Sequence, residues 1–219
     1  MFSPRDQAAI RERLADLQQD VVIKFFEASL GCPTCPEIRR LLERLVELSD
    51  KLTLEVHNLY IDEAEAQKYA VDKAPTIVLT DKSYTDYGVR FYGAPSGYEF
   101  ATFLEDIRMM ANGESGLSAA TKARLAELKQ PVDLKVFVTP TCPYCPAAVR
   151  LAHQFAFESP LVTGSMIEAT EFPDWATRFN VYGVPKTVIN DSEAFALEGA
   201  VPEAVLLEQV MATQTAAQA

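Results

Sequence analysis

Two kinds of apolar run alternate along the chain. Short continuous runs such as Val21-Val22-Ile23-Lys24-Phe25-Phe26 and Leu134-Lys135-Val136-Phe137-Val138 have the length and β-branched content of buried strands. Between them lie longer stretches with apolar residues three and four apart, as in Ile38, Leu41, Leu42, Leu45 and Leu48, the mark of a helix with one buried face. Ser3-Pro4-Arg5-Asp6 supplies an N-cap, a proline at the first helical position and an early acid, and predicts a helix to about Gln19. The rest of the first half reads as strand Val21–Glu27, a helix to about Ser49, strand Leu52–His57 and a short helix Asp62–Ala70. Strand Pro75–Thr80, a turn-rich stretch, strand Val89–Tyr92 and a helix from Gly97 to Ala111 complete it. Asn112-Gly113-Glu114-Ser115-Gly116 reads as a linker.

The order then repeats. A helix over Ser118–Lys129 precedes strand Asp133–Val138, a helix to about Glu158, strand Val162–Ala169 and helix Pro173–Asn180. Strands Pro185–Asn190 and Ala194–Gly199 and a helix over Pro202–Met211 follow. Helices interleaved with strands predict an α/β fold with a central sheet covered on both faces.

The repeat extends to chemistry. Cys32-Pro33-Thr34-Cys35 and Cys142-Pro143-Tyr144-Cys145 each stand where a buried strand hands over to a helix. Each first cysteine is followed, 43 residues on, by a proline that opens an apolar strand (32 to 75, and 142 to 185). A shared motif and a shared spacing identify an internal duplication, with units expected at 1–112 and 117–219.

Bulk composition narrows the function classes. The 219 residues are 48% hydrophobic and 23% charged, ordinary for a globular protein, and no apolar run approaches a membrane span. The net charge of −11 lacks the basic footprint that nucleic acid requires. It is shared evenly, 13 basic against 19 acidic groups in 1–112 and 7 against 12 in 113–219, which points to solubility rather than an acidic tail. The opening residues contain no basic segment leading into an apolar one, so no secretory signal is read and a cytoplasmic location is expected. There, four cysteines in two Cys-x-x-Cys pairs point to redox chemistry or metal binding rather than a structural scaffold.

A cysteine at a helix N-terminus faces unpaired backbone N–H groups and the positive end of the macrodipole, which favour a thiolate. Cys142 and Cys32 are therefore the expected nucleophiles, with Cys145 and Cys35 within reach to close a disulfide. The alternative is one structural zinc site with two cysteines from each half. Against it, the pairs lie 110 residues apart, and the proline after each pair (Pro36, Pro146) lacks an N–H that could bond a metal-bound sulfur.

With Cys-Pro-Tyr-Cys before a helix and Val-Pro before the next-but-one strand, the chain resembles the thioredoxin/glutaredoxin superfamily. Its tandem arrangement is similar to the protein disulfide oxidoreductases, glutaredoxin-like intracellular proteins of thermophilic archaea and bacteria. The resemblance covers nearly the whole chain. It implies two tandem thioredoxin-like folds, each a mixed sheet flanked by helices, with dithiol–disulfide exchange at each site; separately, no cofactor or metal is expected. It also implies cis bonds before Pro75 and Pro185, with the backbone of Ala74 or Val184 pairing with a bound substrate peptide. The partners implied are protein disulfide substrates and, as electron donor, a thioredoxin reductase using flavin and NADPH.

Two departures from the family pattern carry expectations. The buried acid that thioredoxins place six residues before the first cysteine is replaced by Val136 and Phe26, which favours a glutaredoxin-like assignment. An extra residue near Leu30-Gly31 leaves the first site shaped differently and less active than the second.

Glu168 ends the strand after the second cysteine helix. It reads either as an exposed strand-end acid, the commoner case for a carboxylate, or as a proton relay beneath Cys145. Asn58 holds the matching place in the first half. Lys24 and Lys135 match across the repeats as snorkelling or ion-paired lysines, and His57 and His153 are read as non-catalytic. Trp175 and Phe172 are expected to pack the short helix, and Trp175 has a second reading as a border of the substrate groove.

Three functions remain at this point: an oxidoreductase that reduces, forms or isomerises protein disulfides; a dedicated electron carrier between a reductase and a single peroxidase or reductase; and a zinc-binding or interaction module without turnover.

Overall fold

The computed structural model describes residues 2–216; position 1 and positions 217–219, at the outer ends of the two expected units, lie outside the described residues. The first half runs α1 (Pro4–Arg13), β1 (Val21–Glu27), α2 (Cys35–Val46), β2 (Leu52–Asn58), α3 (Glu63–Lys68), β3 (Thr76–Asp81), β4 (Asp86–Tyr92) and α4 (Glu99–Asn112). The second runs α5 (Ala119–Leu125), β5 (Val132–Val138), α6 (Cys145–Glu158), β6 (Val162–Glu168), α7 (Pro173–Arg178), β7 (Lys186–Ile189), β8 (Ser192–Glu198) and α8 (Glu203–Ala216). Two compact units result. One is formed by residues 2–86, 91–94 and 103–114, and the other by 87–90, 95–102 and 115–216.

In the first unit β1 is central, parallel to β2 (Val21 opposite Leu52) and antiparallel to β3 (Val21 opposite Asp81). Residues Val21 to Phe26 are all buried, so both faces of the strand are covered, as an unbroken apolar run requires. The helix α2 follows from its spacing: Cys35, Ile38, Leu42 and Leu45 are buried on one face, and Pro36 sits in the first turn, where its missing N–H costs nothing.

The second unit repeats the arrangement. Strand β5 is parallel to β6 and antiparallel to β7, and β7 pairs with β8. Helix α6 is buried on more than one face, including Ala148, Ala152, His153 and Phe155. It lies so close to β6 that a Cβ on Gly164 would stand 2.6 Å from the Ala152 carbonyl oxygen.

Helix α1 has the expected start, a reciprocal capping box between Ser3 and Asp6. It ends at Arg13 rather than Gln19, because the chain turns to bury both Leu14 and Leu17. Helix α8 instead runs past Met211. Its polar Thr213 and Gln214 are buried, and the Gln214 Oε1 accepts the N–H groups of Lys129 and Gln130, both at 2.9 Å.

Lys24, mid-strand in β1, is 1% exposed and forms an ion pair, not a snorkel. Its ammonium donates to Glu55 at 2.6 Å and Glu65 at 2.7 Å, with the Tyr84 and Tyr69 rings about it. Burial would lower the lysine's pKa, but the two carboxylates outweigh it and hold it above the ordinary value. Burial would likewise raise Glu55, yet bonds from Lys24 and the Tyr84 hydroxyl keep it below the usual carboxylate range. Glu65 is lowered chiefly by its bond from Lys24. In the second unit, Lys135 bonds Asp133 and Asp191 in the same way.

Because Glu55 and Glu65 titrate lower folded than unfolded, their contribution is complete above the ordinary value of 4.5 and is lost as pH falls below it. Lys24→Met leaves both carboxylates without their cation and is expected to cost about 3 kcal/mol, the low end for a broken pair because both acids keep some contact with water. Urea melts from pH 7 to pH 3 check both points: the variant is the less stable at neutral pH and loses less of its stability on acidification.

Candidate active site

Each cysteine motif sits where a covered strand ends and a helix begins. The connection from β5 to Cys142 is one residue shorter than that from β1 to Cys32, so the extra residue read in the sequence is real and leaves Leu30 projecting into solvent. Cys32 is bonded to Cys35 and Cys142 to Cys145, with Cα–Cα distances of 5.4 and 5.5 Å. The first cysteine of each pair keeps a little exposure and the second less, with Cys145 fully buried.

Backbone geometry differs between the two sites. At the second, the Cys145 N–H donates to Cys142 Sγ at 3.1 Å. At the first, the Cys35 N–H donates to the Cys32 carbonyl oxygen at 3.3 Å. Helix N-terminal donors are the groups that stabilise a thiolate, and in the second site one is aimed at the sulfur.

The bonds Ala74–Pro75 and Val184–Pro185 are cis, as the resemblance implied. The two loops are pinned alike: the Gly93 N–H donates to the Pro75 carbonyl at 3.0 Å, and the Gly199 N–H to that of Pro185 at 2.8 Å. The Val184 carbonyl oxygen lies 3.7 Å from Cys142 Sγ, so the cis-proline loop and the cysteine turn meet at the sulfur.

Glu168 is not the exposed strand-end acid that carboxylates commonly are. It is 2% exposed at the end of β6, beside Val138 at the end of β5. Its Oε2 accepts from the Thr170 hydroxyl at 2.6 Å and the Glu171 N–H at 2.7 Å. Its Oε1 is buried with no hydrogen-bond partner among the described residues. Asn58, in the matching place, is spent on local bonds to Ser29, Tyr60 and Asp62.

The histidines are placed otherwise. His57 stacks on Phe26 with its Nε2 3.5 Å from the Lys24 ammonium, and His153 is enclosed within α6. Phe172 is buried and stacks on a half-buried Trp175, as expected for packing of the short helix. Among the described residues, no group of three or more His, Cys, Asp or Glu side chains is arranged to hold a metal ion. No helix of the described residues is long and apolar enough to cross a membrane.

Sequence reasoning passed over Tyr60, Ile61 and Tyr182, and did not foresee how far Leu30 and Tyr144 project into solvent. Tyr144, inside the second motif, is 71% exposed, and Tyr182, two residues before Val184, is 94% exposed. In the first unit, Leu30 precedes the motif, and Tyr60 and Ile61 project from the loop that Asn58 ties to Ser29. The available signal was large apolar residues outside any periodic run and next to a motif.

The thioredoxin domain family model matches residues 132–212. The protein disulfide oxidoreductase from Aeropyrum pernix K1 superposes with a TM-score of 0.90 at 32% identity, covering 98% of this chain and 94% of that one. The N-terminal domain of the alkyl hydroperoxide reductase AhpF from Enterococcus faecalis V583 shares the fold, with a TM-score of 0.87 at 22% identity over 95% of this chain and 99% of that one. In sequence, the chain is 25% identical over 157 residues, 72% of its length, to the corresponding alkyl hydroperoxide reductase of Escherichia coli K12. It spans only 28% of that relative's length.

In the reduced protein, exposure and the sulfur-directed N–H both favour modification of Cys142 over Cys145. Brief treatment with iodoacetamide at pH 7, read by peptide mass spectrometry, is expected to label Cys142 at least about tenfold faster.

Proposed function

This chain belongs to the protein disulfide oxidoreductase family of tandem thioredoxin-like folds, and we propose that it exchanges dithiols and disulfides with protein substrates at two sites, Cys32–Cys35 and Cys142–Cys145. The observation that carries this reading is the second site's sulfur, placed between a helix N-terminal N–H and the carbonyl before a cis-proline.

In the reducing direction, the Cys142 thiolate attacks one sulfur of a substrate disulfide, forming a mixed disulfide and releasing the other substrate sulfur as a thiolate. Cys145 then loses its proton and attacks Cys142 Sγ, releasing the second substrate thiolate. The substrate gains two electrons and the cysteine pair becomes the disulfide seen here. Cys32 and Cys35 perform the same steps at the first site, more slowly, because its N–H is turned to a carbonyl rather than to sulfur. The backbones of Ala74 and Val184, each beside its cis-proline, bind the substrate as an added strand.

Glu168 is read as the base that takes the Cys145 proton. An unpartnered carboxylate oxygen is costly to bury, and its free lone pairs fit a proton acceptor. The repeats 1–112 and 117–219 are read as one redox module each. A reducing compartment such as the cytoplasm, with a thioredoxin reductase that uses flavin and NADPH, would return the pairs to dithiols. A second reading, a carrier that passes electrons within a peroxide-reducing system, is supported by the likeness to the alkyl hydroperoxide reductase of Escherichia coli. Activity on many unrelated disulfides favours the first reading, and activity on one favours the second.

Insulin reduction with dithiothreitol tests the roles. Cys142→Ser is expected to lose most of the turnover and Cys32→Ser to keep most of it; a fully active Cys142→Ser contradicts the assignment. Glu168→Gln is expected to slow release of the mixed disulfide by about a hundredfold near neutral pH. Initial attack by Cys142 should be unchanged, as trapping of the mixed disulfide by mass spectrometry would show.

A further inference from the structure

The turn that presents Cys142 is gripped by a segment far from it in sequence. The turn is closed by the Cys142 N–H, which donates to the Thr139 carbonyl at 3.1 Å, with Pro140 at its second position. The Pro140 carbonyl oxygen in turn accepts the Tyr98 N–H at 3.1 Å. Tyr98 stands just before α4, in the stretch 95–102 that clusters with the second unit. Gly97, immediately before it, has φ +59°. A Cβ there would fall 2.1 Å from the Pro140 oxygen and 2.8 Å from its carbonyl carbon. That is a backbone-to-backbone approach, with no flexible side chain to give way.

We propose that Gly97 and the Tyr98 N–H are positioning elements of the second redox site, fixing the Pro140 peptide and through it the place of Cys142 Sγ. The proposal rests on the reading that Cys142 is the attacking thiol. The sulfur meets the Cys145 N–H at 3.1 Å and the Val184 carbonyl oxygen at 3.7 Å, distances that a small displacement of the turn would change. An N–H bond to sulfur stabilises the thiolate over the thiol. Loosening the turn therefore makes Cys142 harder to ionise and destabilises the dithiol form relative to the disulfide. The pair becomes more reducing. Tyr98 and Gly97 touch no reacting atom; they act through Pro140.

The test uses the 219-residue chain with Cys32 and Cys35 replaced by serine, so that only the second pair equilibrates with glutathione. Gly97→Ala is expected to shift that equilibrium toward the disulfide by about tenfold, about 30 mV, and to move the pH midpoint of Cys142 alkylation upward. Gly113→Ala is the control. It imposes the same left-handed strain at φ +71°, with nothing within 4 Å of the new Cβ, and should shift neither quantity. Tyr98→Pro, which puts a ring carbon in place of the N–H, should reproduce the shift, whereas Tyr98→Ala, which keeps the N–H, should not; this pair decides the matter if Gly97→Ala does not fold. In the mirror background, with Cys142 and Cys145 replaced by serine, the first pair should be unaffected by Gly97→Ala. An unchanged second-site equilibrium in Gly97→Ala and Tyr98→Pro, or an equal shift at both sites, overturns the proposal. Neither measurement uses a protein substrate, so failure here is distinct from full activity in Cys142→Ser, which would instead overturn the underlying reading.

Discussion

A sulfur set against the first free N–H of a helix is the contact on which this molecule depends. At the second site the Cys145 N–H reaches Cys142 Sγ at 3.1 Å, and each neighbouring element serves to hold that pair of atoms. Buried β5 delivers the turn, and α6, packed against β6 through Gly164, fixes the helix end. Pro146 occupies the first turn of α6, where no N–H is needed, and the Val184-Pro185 loop brings a carbonyl oxygen to 3.7 Å from the sulfur. A negative sulfur is otherwise expensive at neutral pH. Here the backbone supplies its partner before any substrate arrives, so little reorganisation remains to be made during reaction.

The repeats share this plan and diverge in its surroundings. Each holds a lysine of its central strand between two acids, a buried Lys24 with Glu55 and Glu65, and a half-buried Lys135 with Asp133 and Asp191. Partly buried pairs of this kind tie neighbouring elements together with a fixed geometry, at a desolvation cost that makes removal of one partner the damaging change. At the strand end the repeats part company: Asn58 is consumed by its own loop, while Glu168 is buried with one oxygen unclaimed. The N–H of the second cysteine also differs in its acceptor, carbonyl in one half and sulfur in the other. The scaffold is shared between the repeats, and what differs is the polar surroundings of the cysteines: the residue at the strand end and the acceptor of the second cysteine's N–H.

Much of this was readable from residue order. The strands are continuous β-branched and aromatic runs, and the helices after the cysteines keep one apolar face, so both survive translation into structure with end shifts of a few residues. Matched cysteine-to-proline spacing revealed the duplication because each pair of elements must bring the same two loops to one place. Features set by long-range packing were hidden. The burial of Glu168 depends on what covers the end of β6, which no local pattern records. The extension of α8 through Thr213 and Gln214 depends on two backbone N–H groups 84 and 85 residues away. Gly97 looks like any loop glycine until Pro140 is seen against it.

The most direct measurement is a pH titration of thiolate ultraviolet absorbance in the fully reduced protein, with each first cysteine resolved by comparison with its serine variant. A leading thiol that ionises well below the value of about 8.5 for a free cysteine, and lower at Cys142 than at Cys32, is what the backbone geometry predicts. Titration of both at or above that value would mean that the helix ends do not activate sulfur, and the account would be wrong at its root.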